Sequence, residues 1–180
     1  WEIMVPADNA EKLYTTLYQA GKSFSLQNVG LHAVNSLRLE KGFRHWGHDI
    51  GSHDNLLEAG LNFVADMTSG DFIGYQALMT QRSKGVPERR LVQFRLENPD
   101  PLLYHNEPIV MNGEIVGYLT SGAFAHAVGS SIGMGYVNVP LLSNEIISTA
   151  EFEIEIALER FSAQASLRGW YDPKGLKMRQ

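Results

Sequence analysis

The apolar and polar positions of this chain follow two periods, and the change falls near Ser83-Lys84-Gly85-Val86-Pro87. Before that point the helical period dominates. Ala10, Leu13, Leu17 and Ala20 share one stripe, Asp8 and Glu11 have capping-box spacing, and Gly21 stands where helices commonly stop. The pattern predicts an amphipathic helix over Asn9–Ala20. Leu31, Val34 and Leu37 recur at helical spacing and predict a second helix over Leu31–Leu39. Asp71 reads as the cap of a short third helix reaching Leu78. Gly42 and Gly47 bracket Phe43-Arg44-His45-Trp46, a short strand or a tight loop. The opening Trp1-Glu2-Ile3-Met4-Val5-Pro6 reads as a strand already under way, which implies a segment of a longer polypeptide.

After Pro87 the period is two. Leu91-Val92-Gln93-Phe94-Arg95-Leu96 alternates. Ile109-Val110-Met111 and Glu114-Ile115-Val116-Gly117-Tyr118 flank Asn112-Gly113, the pair that a type I′ hairpin turn demands. Phe152, Ile154, Ile156 and Leu158 alternate with Glu151, Glu153, Glu155 and Glu159, as on one half-buried strand with an acidic face. The expected fold class is α+β: an α+β piece over residues 1–84, then a small all-β domain, sandwich or barrel, over residues 85–180.

Composition narrows the chemistry. The hydrophobic share of 44% can fill a core. A net charge of −5 with no long basic run gives no nucleic-acid footprint. The absence of cysteine excludes disulfides, thiolate metal sites and a cysteine nucleophile within these residues. No apolar run approaches the ~20 residues of a bilayer span, so no membrane partner is expected.

The densest polar cluster is Arg44-His45-Trp46-Gly47-His48-Asp49, with His53-Asp54 close behind. Three imidazoles and two carboxylates could bind a divalent metal or supply a His/Asp base. His45 and His48, however, are spaced around a glycine that no helix would keep on one face, so a polar loop is expected and no metal. Glu2 has two readings: an outward, solvated carboxylate, or a buried one accepting two hydrogen bonds from the planar N–H/NH₂ edge of a pterin or guanine. Thr120-Ser121-Gly122 lacks the context of a phosphate-binding P-loop and reads as a bulge or corner of the β domain. Gly129, Gly133 and Gly135 have the wrong spacing for a dinucleotide fingerprint.

Longer wordings add a resemblance. Asn35-Ser36-Leu37-Arg38-Leu39-Glu40-Lys41-Gly42-Phe43-Arg44-His45-Trp46-Gly47-His48-Asp49-Ile50, Leu57-Glu58-Ala59-Gly60-Leu61, Asp71-Phe72-Ile73-Gly74, Ile115-Val116-Gly117-Tyr118-Leu119-Thr120-Ser121-Gly122 and Tyr171-Asp172-Pro173-Lys174-Gly175 occur in that order. Together they resemble the aminomethyltransferase (glycine cleavage T-protein) family across essentially the whole chain. The Arg-His-Trp-Gly-His-Asp wording is most similar to the folate-binding half of FAD-dependent sarcosine and dimethylglycine dehydrogenases.

The resemblance implies a partial ferredoxin-like folate-binding domain over residues 1–84 and the family's C-terminal β-barrel over residues 85–180. It implies tetrahydrofolate as cofactor, with Glu2 holding the pterin edge and Phe43 lining the cleft. Asn35 stands with Val34 where the T-proteins carry Arg-Asp near the folate. FAD would belong to an upstream domain of the same chain, and the family's catalytic Asp would lie upstream of Trp1. The implied partners are folate and the one-carbon unit of an N-methyl amine, in the cytoplasm or, in a eukaryote, the mitochondrial matrix. The implied reaction oxidises the amine at the flavin and captures the one-carbon unit as methylene-tetrahydrofolate, so this segment alone would be inactive. A stand-alone aminomethyltransferase and a non-catalytic folate-binding relative are the alternatives.

Overall fold

The computed structural model describes residues 2–70, 72–140 and 142–179. Trp1 and the expected Asp71 cap lie outside them. The chain forms two compact units, one ending at Ala33 and one beginning at Val34.

In the first unit, α1 (Ala10–Gly21) lies between short 3₁₀ turns at Ala7–Asn9 and Lys22–Phe24. Two expected signals work differently. Asp8 sits inside the first turn, and no side chain caps α1. Gly21 stays helical, and the chain turns left-handed only at Ser25, with φ 56°. Gly21 serves close approach instead: a Cβ there would lie 2.4 Å from Leu26 Cδ2. The opening strand is also corrected. Residues 2–6 form no strand: a strand needs an edge to pair with, and the described strands all pair with one another.

Helix α2 (Leu31–Lys41) forms where expected and runs two residues further. Gly42, at φ 77°, ends it: Gly42 N–H bonds Leu39 O and Phe43 N–H bonds Arg38 O, a Schellman stop. Its apolar stripe, however, faces outward. Leu31, Val34 and Leu37 are exposed, while Ser36, Leu39 and Glu40 are buried. The polar pair turns inward because each finds a partner: Ser36 Oγ donates to Phe124 O (2.7 Å), and Glu40 Oε1 accepts from Ala127 N–H (2.8 Å). Helix α3 (Tyr75–Ser83) starts after Gly74, at φ 89°, later than a cap at Asp71 would place it.

The rest is a closed antiparallel barrel. Its strands are β1 (Arg89–Leu96), β2 (Pro108–Met111), β3 (Glu114–Ala125), β4 (Ser130–Asn138), β5 (Phe152–Ile156) and β6 (Glu159–Ser166), in the order β1-β4-β3-β2-β5-β6. Val92, Phe94, Leu96, Ile109, Leu119, Val137, Phe152 and Ile154 build one core cluster. Leu39 of α2 joins Leu91, Ile132, Met134 and Tyr136 in a second cluster. Strand β1 therefore contributes to both clusters, and Leu91 through Phe94 are all buried. In β4 the intervening Gly133 and Gly135 leave room for Leu119, Leu103 and Ile109, whose atoms would lie within 3.3 Å of an added Cβ. Short helix α4 (Asn144–Thr149), which no periodicity announces, is capped by Ser143 Oγ and adds Ile147 to the first cluster.

The Asn112-Gly113 hairpin between β2 and β3 is as expected, with φ 51° and 90°. The acidic-faced strand is not continuous. It folds back at Ala157-Leu158, both left-handed (φ 49° and 69°), so Glu159 opens β6. Alternation continued through the turn and concealed it, because neither turn residue is Gly, Asn or Asp. Left-handed backbone costs roughly 1–2 kcal/mol per ordinary residue. The double substitution Ala157→Asn/Leu158→Gly is therefore expected to stabilise the barrel by about 1 kcal/mol in urea unfolding. Destabilisation would show that the exposed Leu158 contributes a contact.

Candidate functional site

The site grows from the loop after α2. Gly47, at φ 86°, lets the chain reverse, with Gly47 N–H bonding Ile50 O and Asp49 N–H bonding His45 O. The reversal drives Asp49 inward until it is fully buried. A carboxylate there is tolerable only if its lone pairs are filled. Oδ2 accepts from His45 N–H (2.8 Å) and from Arg38 Nη1, and Oδ1 accepts from Thr120 Oγ1 and Ser121 Oγ, each at 2.5 Å. Thr120 Oγ1 also lies 2.9 Å from Met134 O, but its one proton goes to the charged acceptor, the stronger of the two.

Arg38 extends this hub. Its Nε and Nη2 donate to Asn35 Oδ1 (2.9 and 2.7 Å), and Nη1 also donates to Phe43 O (3.2 Å). Asn35 Nδ2 reaches Gly122 O at 3.4 Å. The guanidinium fork thus gathers Asn35 and Phe43, two of the residues implied to face folate. The Phe43 ring itself stays 54% exposed. Asn35 Oδ1 is fully engaged, so its amide N–H is the group left to offer. Glu2 lies in the first compact unit, exposed and outside any strand.

The histidine loop brings two of its imidazole rings together. The His45 and His48 rings pack at a tilt of 38°, with centroids 4.6 Å apart. Among the described residues no three His, Asp or Glu side chains converge as a ligand set. Asp54 instead accepts from Gly51 N–H (2.7 Å) and Arg89 Nη1 (2.5 Å). The Arg89 guanidinium lies 3.5 Å from the centre of the Tyr136 ring. Burial, and then the Asp54 charge, pushes the Tyr136 phenol well above its usual range. Arg44 packs behind the loop and donates to the carbonyls of Gly42 and Ala59.

The sequence singled out Asp49 and the Thr120-Ser121-Gly122 run as separate oddities, but not their contact. Arg38 gave no signal, since a helical Arg usually reaches solvent. Arg38 and Asp49 lie 11 residues apart, a spacing that no helical or strand period announces.

Burial pushes the Asp54 carboxyl up, but hydrogen bonds from Arg89 and Gly51, with the Arg89 charge, outweigh it and hold the group below 3.8. A carboxyl lowered in the fold stabilises fully above its unfolded value, and that stability is lost as pH falls through the folded value. Asp54→Asn is therefore expected to be less stable than wild type at pH 7, with the gap closing below about pH 4. Unfolding midpoints across pH 2–7 check it, and a gap independent of pH would exclude the charge as its source.

Comparison with known proteins places these features. The GCVT N-terminal domain family matches residues 1–69, and the glycine cleavage T-protein C-terminal barrel domain family matches residues 89–172. The chain is 38% identical over 180 residues to 4-methylaminobutanoate oxidase (formaldehyde-forming) of Paenarthrobacter nicotinovorans, covering 99% of this chain and 21% of that protein. It is 33% identical over 183 residues to human mitochondrial sarcosine dehydrogenase, covering 99% of this chain and 20% of that protein. It thus spans about a fifth of the length of these curated relatives. The crystal structure of the glycine cleavage system aminomethyltransferase T from Bartonella henselae superposes with TM-score 0.78 at 24% identity, covering 94% of this chain and 45% of that one, which is a likeness of fold. With both domain families matched in order and the barrel reproduced, the chain belongs to the aminomethyltransferase (glycine cleavage T-protein) family.

Proposed function

We propose that this chain is the tetrahydrofolate-binding segment of an FAD-dependent N-methyl-amine dehydrogenase of the sarcosine/dimethylglycine type. The observation that carries the reading is the likeness, over 99% of the chain, to an oxidase and a dehydrogenase whose names denote N-methylated amine substrates. Residues 1–84 are the C-terminal part of the folate-binding domain and residues 85–180 its barrel domain.

The residues present suit a folate. Phe43 is exposed and its carbonyl is held by the Arg38 guanidinium, and a flat pterin or aminobenzoyl ring stacks on an exposed aromatic face. Asn35 keeps an N–H for a carbonyl or carboxylate of the ligand. Glu2 supplies a carboxylate for the paired N–H donors of the pterin edge. Bound tetrahydrofolate would supply the acceptor for the one-carbon unit, and Phe43 and Asn35 would orient it. This chain spans about a fifth of the length of these relatives, which leaves room for an FAD domain elsewhere in the protein.

A second reading follows from the bacterial relative, named as formaldehyde-forming: the one-carbon unit leaves as free formaldehyde. The two separate by product. With sarcosine or dimethylglycine as substrate, the intact protein is expected to yield methylene-tetrahydrofolate when tetrahydrofolate is present. Formaldehyde released in undiminished amount, with no folate product, would overturn the folate reading. Glu2→Gln replaces one acceptor oxygen with a donor. A charge-assisted hydrogen bond is worth roughly 1.5–3 kcal/mol, so folate affinity should fall about ten-fold or more. Amine oxidation with an artificial electron acceptor should survive. An unchanged Kd would return Glu2 to the outward, solvated role.

A further inference from the structure

We propose that Asp49 is a positioning residue for folate binding: locked by the Thr120 and Ser121 hydroxyls of the barrel, it fixes the Arg38 guanidinium that holds Asn35 and Phe43. The inference rests on the folate reading above and assigns to the barrel a part in ligand affinity.

The geometry that carries it is a fault in the barrel ladder. Successive side chains of a regular strand point to opposite faces, so Thr120 and Ser121 should not reach the same atom. The β3–β4 register shifts between Leu119 and Ser121. That bulge re-aims one side chain, and both hydroxyls meet Asp49 Oδ1 at 2.5 Å. The next residue, Gly122, presents its carbonyl to Asn35. A Cβ on Gly122 would lie 2.5 Å from Leu103 C, so the strand cannot relax there by gaining a side chain. The same three-residue run thus anchors both ends of the Asp49–Arg38–Asn35 chain.

Asp49 cannot touch the ligand itself, because it is fully buried and both oxygens are occupied. Its effect passes through Arg38, which bonds Asp49 and whose three other hydrogen bonds hold the Asn35 amide and the Phe43 carbonyl together. A fork held by a buried carboxylate loses little freedom when a ligand arrives, which is the source of affinity by preorganisation. A lysine could keep the charge on Asp49 but could not bridge Asn35 and Phe43 at once.

The test is a double-mutant cycle on the intact protein, read as the Kd of tetrahydrofolate by titration calorimetry. Thr120→Val/Ser121→Ala removes both hydroxyls with little change in volume. It is expected to weaken binding about ten-fold in the wild-type background and less than about three-fold in an Asn35→Ala background. A merely structural loosening would cost the same factor in both backgrounds, and that additivity, or no loss at all, would overturn the proposal. Arg38→Lys provides the second arm, independent of whether the hydroxyl variant folds. It is expected to keep the unfolding midpoint within about 3 °C yet lose about ten-fold in Kd; wild-type affinity would overturn the proposal. If the wild-type protein does not bind tetrahydrofolate, the folate reading itself falls and this inference with it.

Discussion

The ion pair between Asp49 and Arg38 is the constraint on which the second unit depends. A carboxylate with no solvent contact costs several kcal/mol unless it is neutralised and hydrogen-bonded. Here neutralisation comes from α2, and the remaining acceptor sites are filled by the His45 backbone and by two hydroxyls of β3. Helix, loop and barrel must all be in place before the charge can be buried. Its burial therefore selects one arrangement of the three rather than adding much net stability.

The α2 surface shows the consequence. Judged by hydrophobicity alone, the helix should bury Leu31, Val34 and Leu37. It instead buries Ser36, Leu39 and Glu40, because the polar members bond the backbone at the end of β3 and in the β3–β4 connection. Tyr171 N–H adds a bond to Glu40 O, and Lys41 Nζ reaches Asp172 Oδ2 at 2.8 Å, tying the C-terminal segment to the same helix. That contact holds the Asp172 carboxyl below its ordinary value. The helix is positioned by specific polar bonds and by one leucine, and its outward apolar side chains are left as surface.

The barrel is the rigid element that makes this possible. Closing six strands removes every free edge, and the glycines of β4 let large side chains of β3 and the 97–107 connection fill the space. The bulge at Thr120 is a local departure that this frame can hold, and it turns two hydroxyls and one carbonyl toward the loop and α2. Catalytic and binding groups gain precision when regular elements hold them. The Arg38 fork is held in that way from both sides.

Elements whose signals are local could be read from the amino-acid order. The Asn112-Gly113 hairpin was legible because its turn needs positive φ at two successive positions. The α2 helix was legible from its spacing, and the period of two after Pro87 announced an all-β region. The family wording carried the identity of Asn35 and Phe43 as residues to watch. The folded chain settled which face of α2 is buried, that the β region closes as a barrel rather than a sandwich, and that Ala157-Leu158 is a turn. It alone joined Asp49 to Thr120 and Ser121 across more than 70 positions of sequence. The reason is physical. Periodicity reports the hydrophobic effect, which is non-directional and local along an element. A buried charge is governed by directional bonds from partners that are distant in the chain, and no spacing records them.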